Sequence, residues 1–135
     1  MKIVDSNYSD FLNVPILELP SYLESSKRLS FSFRDGETNQ EIFAYASLKS
    51  VGDSLQIIDY DNSEPLSYER FFDRIKMIAI IANEGGEFCF NRLCFSVNDI
   101  SEEKAKLLIE YIDEFNYDEN SETYQCYIKR KNAPE

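Results

Sequence analysis

The chain has 135 residues, with 25 acidic against 14 basic side chains, a net charge of −11, and no histidine. A field of that sign repels nucleic acid and anionic membrane and attracts basic partners. The 43% hydrophobic and 14% aromatic content excludes a disordered chain, and the length suits one domain, 1–135, that buries a core without staples.

No apolar run approaches the roughly 20 residues of a membrane span, and the opening Met1-Lys2-Ile3-Val4-Asp5-Ser6 lacks an apolar signal core. A cytoplasmic location is expected. Cys89, Cys94 and Cys126 form no framework spacing. An odd count within apolar segments predicts reduced, buried thiols.

Residues 1–27 read as an irregular N-terminal arm, with Pro15 and Pro20 punctuating a short extended piece before a helical turn at 21–25. From Arg28 the pattern is regular. Leu29, Phe31 and Phe33 alternate with Ser30, Ser32 and Arg34, the period of a half-buried strand. Turns at 35–39 and 50–53 separate further strands at 41–49 and 54–60, giving an antiparallel meander. A helix capped by Ser67 then runs from Tyr68 to Asn83, with Tyr68, Phe71, Phe72, Ile75, Ile78, Ala79 and Ala82 as its docking stripe.

Gly85-Gly86 stops that helix. Residues 88–97 read as a strand apolar on both faces, hence central in the sheet. A second helix follows from Asp99 or Ser101, with Ala105, Leu108, Ile109, Ile112 and Phe115 as its inner stripe and Glu103, Glu110 and Glu114 aligned on the far side. A last strand at 123–129 precedes a frayed tail, 130–135. The expected fold is α+β, one mainly antiparallel sheet of about five strands with two helices packed on it.

Chemistry is constrained mostly by what is missing. Without histidine, the commonest general base, metal ligand and nucleophile activator is absent. Four glycines leave no phosphate-cradling motif, and a calcium-loop reading from Asp59 fails because Glu64 stands at the sixth position and Arg70 at the twelfth. No spacing singles out a catalytic carboxylate pair. No cofactor or metal is expected, and a non-enzymatic role is favoured.

What remains is charge topography. One candidate patch joins Glu103, Glu110, Asp113, Glu114, Asp118 and Glu119 to Tyr111 and Tyr117; a second joins Asp53, Asp59, Asp61 and Glu64 to Tyr60. Aromatics among carboxylates supply a desolvated anchor within charges that steer encounter with a basic protein. In size, acidity and α+β layout the chain resembles the small acidic immunity proteins that bacteria produce beside contact-dependent or secreted toxins. That resemblance implies an inhibitor that is a monomer alone and forms a heterodimer with a toxin domain, a basic nuclease in many cases, with no nucleic-acid or membrane partner. An acidic secretion-system chaperone for an effector protein is the alternative, and an enzyme using carboxylates alone is the third reading.

Overall fold

The computed structural model describes residues 14–34, 37–62 and 68–128. Glu64, the Ser67 cap, the 1–13 part of the arm, Asp35-Gly36 of the first turn, Lys129 and the tail lie outside the described residues. The first element of the described residues is a 3-10 turn, Ile16–Glu18, leading into α1, Leu19–Ser25. Where an extended piece was expected, Pro15 instead offers its carbonyl to the Glu18 N–H at 2.9 Å. Pro20 in the first turn of α1 suits a position that needs no N–H donor, and Leu19 and Leu23 become core.

Strands β1 (Arg28–Arg34), β2 (Glu41–Val51) and β3 (Ser54–Asn62) form the expected meander. Its second turn is the two-residue loop Gly52-Asp53, with Gly52 at φ +61°, a left-handed conformation that glycine adopts without strain. The β2–β3 register shifts at Ser47/Leu48. That bulge keeps Leu48 and Ile57 on the buried face and Asp59 and Asp61 on the other.

Helix α2, Tyr68–Glu84, buries every residue of its predicted stripe, and Ile81 as well. Its 17 residues span about 25 Å, enough to return the chain along the sheet. Strand β4, Arg92–Phe95, therefore runs parallel to β3 and makes the sheet mixed. Only four residues of the expected 88–97 strand pair; β4 is nevertheless central, between β3 and β6. Cys94 and Cys126 are buried, with thiols pushed up by burial to about 11 and about 12, whereas Cys89 is exposed in the segment before β4.

Helix α3, Glu102–Tyr111, starts on Ser101, whose hydroxyl accepts the Lys104 N–H at 3.2 Å. It ends earlier than its apolar spacing suggested. Ile112 is already extended, at φ −134° and ψ 95°, so Phe115 lies beyond the helix, wedged edge-on against Phe72 and Phe95 at 5.1 and 4.9 Å. The helix docks through Ala105 and Leu108, with Ile112 buried behind them, while Ile109 is turned outward. The acidic stretch after α3 forms a sixth strand, β5 (Asn116–Asp118), paired antiparallel with β6 (Thr123–Tyr127). Asp118 staples their turn by accepting the Ser121 N–H and hydroxyl at 3.2 and 2.6 Å.

Among the described residues the strand order is β1-β2-β3-β4-β6-β5, with three α-helices rather than two. Inward residues of all three helices and of β1–β4 and β6 form one core cluster, so the opposite face of the sheet carries no helix among the described residues. No described helix is long and apolar enough to cross a membrane.

Candidate functional site

The pivot is the segment 111–118, which the fold holds from both ends. Tyr111 closes α3 and lays its ring flat on Tyr68, the first residue of α2, at 5.5 Å and 8°. Phe115 anchors the segment in the core, and Tyr117 and Asp118 pair with β6. Because Tyr68 is buried and Tyr111 is 36% exposed, the outer side of the Tyr111 ring is a fixed aromatic surface.

Across from it, Glu69 and Asp73 stand one turn apart on α2. With Phe72, Tyr111, Ile112, Asp113 and Glu114 they line a pocket of about 170 Å³. Four of its seven lining residues are carboxylates. Lys76 enters from the side, donating to Glu114 Oε1 at 2.9 Å and sitting 4.9 Å over the Phe72 ring, so a cation already rests on one acid and one aromatic at the rim. Burial raises the Asp73 carboxyl above its ordinary value; Lys76 opposes the shift, and Glu114 and Glu69 add to it.

No protein-family model, curated protein or solved structure matches the chain.

The first expected patch is only partly assembled. Tyr111, Asp113 and Glu114 share the pocket, and Glu110 is exposed on the last turn of α3. Glu103 lies two turns away in the first turn. Glu110 and Glu114 are not aligned as one helix face, because α3 stops at Tyr111 and Glu114 turns toward Lys76. Tyr117 and Asp118 line a neighbouring cleft of about 210 Å³ with Arg92, Asn116, Gln125 and Tyr127, and Glu114 borders both hollows.

The second patch dissolves into internal pairs. Asp53 accepts the Arg92 guanidinium at 2.9 Å, Asp59 the Lys104 ammonium at 2.9 Å, and Asp61 the Tyr45 hydroxyl at 3.0 Å. The Arg92 and Lys104 hydrogen bonds hold the Asp53 and Asp59 carboxyls below their ordinary values. Tyr60 is no surface anchor: it is buried, and its hydroxyl donates to the Lys104 carbonyl at 2.8 Å. Lys104 also donates to the Tyr60 carbonyl at 2.7 Å, on the part of β3 beyond its pairing with β4, which covers a bare edge.

Glu69 and Asp73 were not among the sequence candidates. Their i, i+4 spacing on the polar flank of the central helix was visible, but the approach of α3 that makes them a wall was not. Among the described residues no group of His, Cys, Asp and Glu has metal-holding geometry.

Asp73 offers a stability readout. A carboxyl whose folded pKa is raised leaves stability unaffected below its unfolded value, about 3.9 for aspartate, and lowers it as pH rises through the folded value. Asp73→Asn is expected to stabilise the protein at pH 7, with the advantage over the natural chain vanishing below about pH 4. Urea midpoints of both proteins across that range check it; an equal gain at every pH would trace the effect to packing instead.

Proposed function

We propose that the protein is a binding protein of the immunity type, which neutralises a basic toxin domain through the acidic, aromatic surface centred on Tyr111 and Glu114 and performs no catalysis itself. The observation that carries this reading is the pocket in which Glu69, Asp73, Asp113 and Glu114 surround the fixed Tyr111 ring. A lysine or arginine of the partner, entering there, stacks on the tyrosine while the carboxylates neutralise it. Lys76 on Glu114 and Phe72 is an internal example of the same contact. The raised Asp73 carboxyl fits as well, since a carboxylate that costs stability where it stands is accounted for when a cation completes it.

The test is binding to the product of the neighbouring reading frame, followed by calorimetry and by growth on co-expression, at low and high salt. Glu69 and Asp113 are both exposed, so the double reversal Glu69→Lys with Asp113→Lys leaves the fold intact. It is expected to weaken the complex by about tenfold to a hundredfold, mostly through slower association. Glu103→Lys, off the pocket, is expected to change it by less than about threefold. Equal losses from both variants would reduce the effect to net charge, and an unaffected complex would place the interface elsewhere.

A further inference from the structure

One of the four carboxylates in the pocket beside Tyr111 already carries a cation. Lys76 follows Glu69 by two turns of α2 and so rises on the same side of the helix as Glu69 and Asp73. Its ammonium donates to Glu114 Oε1 at 2.9 Å and lies 4.9 Å from the centre of the Phe72 ring. With the Lys76 side chain 21% exposed and that of Glu114 56%, the pair stands at the boundary with solvent, where such pairs add little to stability. The segment that bears Glu114 is held by other means. Phe115 is wedged against Phe72 and Phe95, and β5 pairs with β6.

The chain also shows how each kind of cation sits on an aromatic ring. Lys27, Lys76 and Lys104 hold their ammonium groups 5.5, 4.9 and 5.5 Å from the centres of Tyr22, Phe72 and Tyr60. Arg28 comes closer, with its Cζ 4.0 Å from the centre of the Tyr45 ring, whose hydroxyl donates to Asp61 at 3.0 Å. A planar, weakly hydrated guanidinium stacks on a ring and forks onto carboxylates, whereas an ammonium remains a hydrated point charge. Tyr111 offers an equivalent ring, backed by Tyr68 at 5.5 Å and 8° and set among carboxylates.

We infer that this pocket selects an arginine side chain of its partner over a lysine, with Lys76 as a tethered competitor that either must displace from Glu114. The inference rests on the reading that a basic partner docks here, and it names the side chain received. A lysine that enters exchanges one ammonium for another at Glu114. An arginine adds stacking on Tyr111 and a second hydrogen bond from its fork. Lys76 thus lowers the affinity for both alike, because only the fraction of molecules with Glu114 released is competent. The preference itself comes from the ring.

The test is a nuclear magnetic resonance titration of the full chain with acetyl-Gly-Arg-Gly-amide and with its lysine counterpart, following the backbone amides of residues 112–114. The arginine peptide is expected to bind about fivefold more tightly than the lysine peptide, at equal charge. Lys76→Met is expected to tighten both by up to about fivefold and to leave their ratio unchanged. Tyr111→Leu is expected to bring the ratio close to one, and circular dichroism checks that both variants are folded. Equal affinities in the natural chain, the absence of a saturable shift, or Lys76→Met leaving the affinities unchanged or weaker would each overturn the inference. So would a ratio that survives Tyr111→Leu. Because the peptides need no toxin, the two readings fail separately: arginine-selective peptide binding without any protein complex removes the immunity role alone, and a toxin complex without arginine preference removes this inference alone.

Discussion

Phe71→Ala is expected to lower the free energy of unfolding by about 3–5 kcal/mol, the largest loss at any single position discussed here. Phe71 is fully buried, and its ring meets Phe31, Tyr60 and Tyr68 at centroid distances of 5.8, 5.3 and 5.9 Å. It joins the first strand, the third strand and the start of the central helix in one aromatic cluster. Truncation removes the buried ring and leaves a void lined by three other rings, which cannot collapse without leaving their own contacts. The cost reaches the candidate site, because Tyr68 is also the support on which Tyr111 stacks. Urea unfolding should show a lower midpoint with an unchanged slope; a loss below about 1 kcal/mol would mean that the cluster repacks freely. Phe71→Leu, which keeps most of the volume, should cost clearly less.

Local pattern carried much of this fold. The alternation of Leu29, Phe31 and Phe33 fixes the face of β1, and the 3.6-residue stripe from Tyr68 to Ala82 fixes the docking side of α2. Features that depend on distant partners were not legible in the same way. Asp53, Asp59 and Asp61 read as a patch in sequence, yet their partners stand 39, 45 and 16 residues away. An acid looks free until the chain that pairs it has folded over it.

The end of α3 shows the other limit. Residues 105–115 satisfy helical spacing, but Phe115 is worth more wedged between Phe72 and Phe95 than on a helix stripe, so tertiary packing overrides the local period. The residues released became β5, a three-residue strand too short to announce itself by alternation. The parallel pairing of β3 and β4 was implied by a 17-residue helix between them, since a return helix leaves the next strand running the same way as the last. Connection length, rather than strand pattern, held that information.

The connection after α2 leads to the second large effect. Asn83 clamps the segment before β4 with both ends of its amide: its nitrogen donates to the Phe90 carbonyl at 2.7 Å, and its oxygen accepts the Phe90 N–H at 2.7 Å. Phe90 is buried, so neither backbone group has ready access to water. Asn83→Ala strands both and is expected to cost about 2–4 kcal/mol, independent of pH. Asn83→Asp is more diagnostic. Its carboxylate still accepts from the Phe90 N–H but faces the Phe90 carbonyl with no proton to offer, so the charged form is disfavoured and the carboxyl pKa in the fold rises. A raised acid destabilises only above its unfolded value, and protonation supplies the missing donor. The aspartate variant should therefore be less stable than the natural protein at pH 7 and recover relative to it as pH falls toward about 4, whereas the alanine variant should not recover. Chemical denaturation of the three proteins at both pH values distinguishes them; an aspartate variant as stable as the natural chain at pH 7 would show that the clamp does not hold in solution. Because β4 ends in Phe95, the ring against which Phe115 rests, loosening this clamp also loosens the anchor of the segment that carries Glu114.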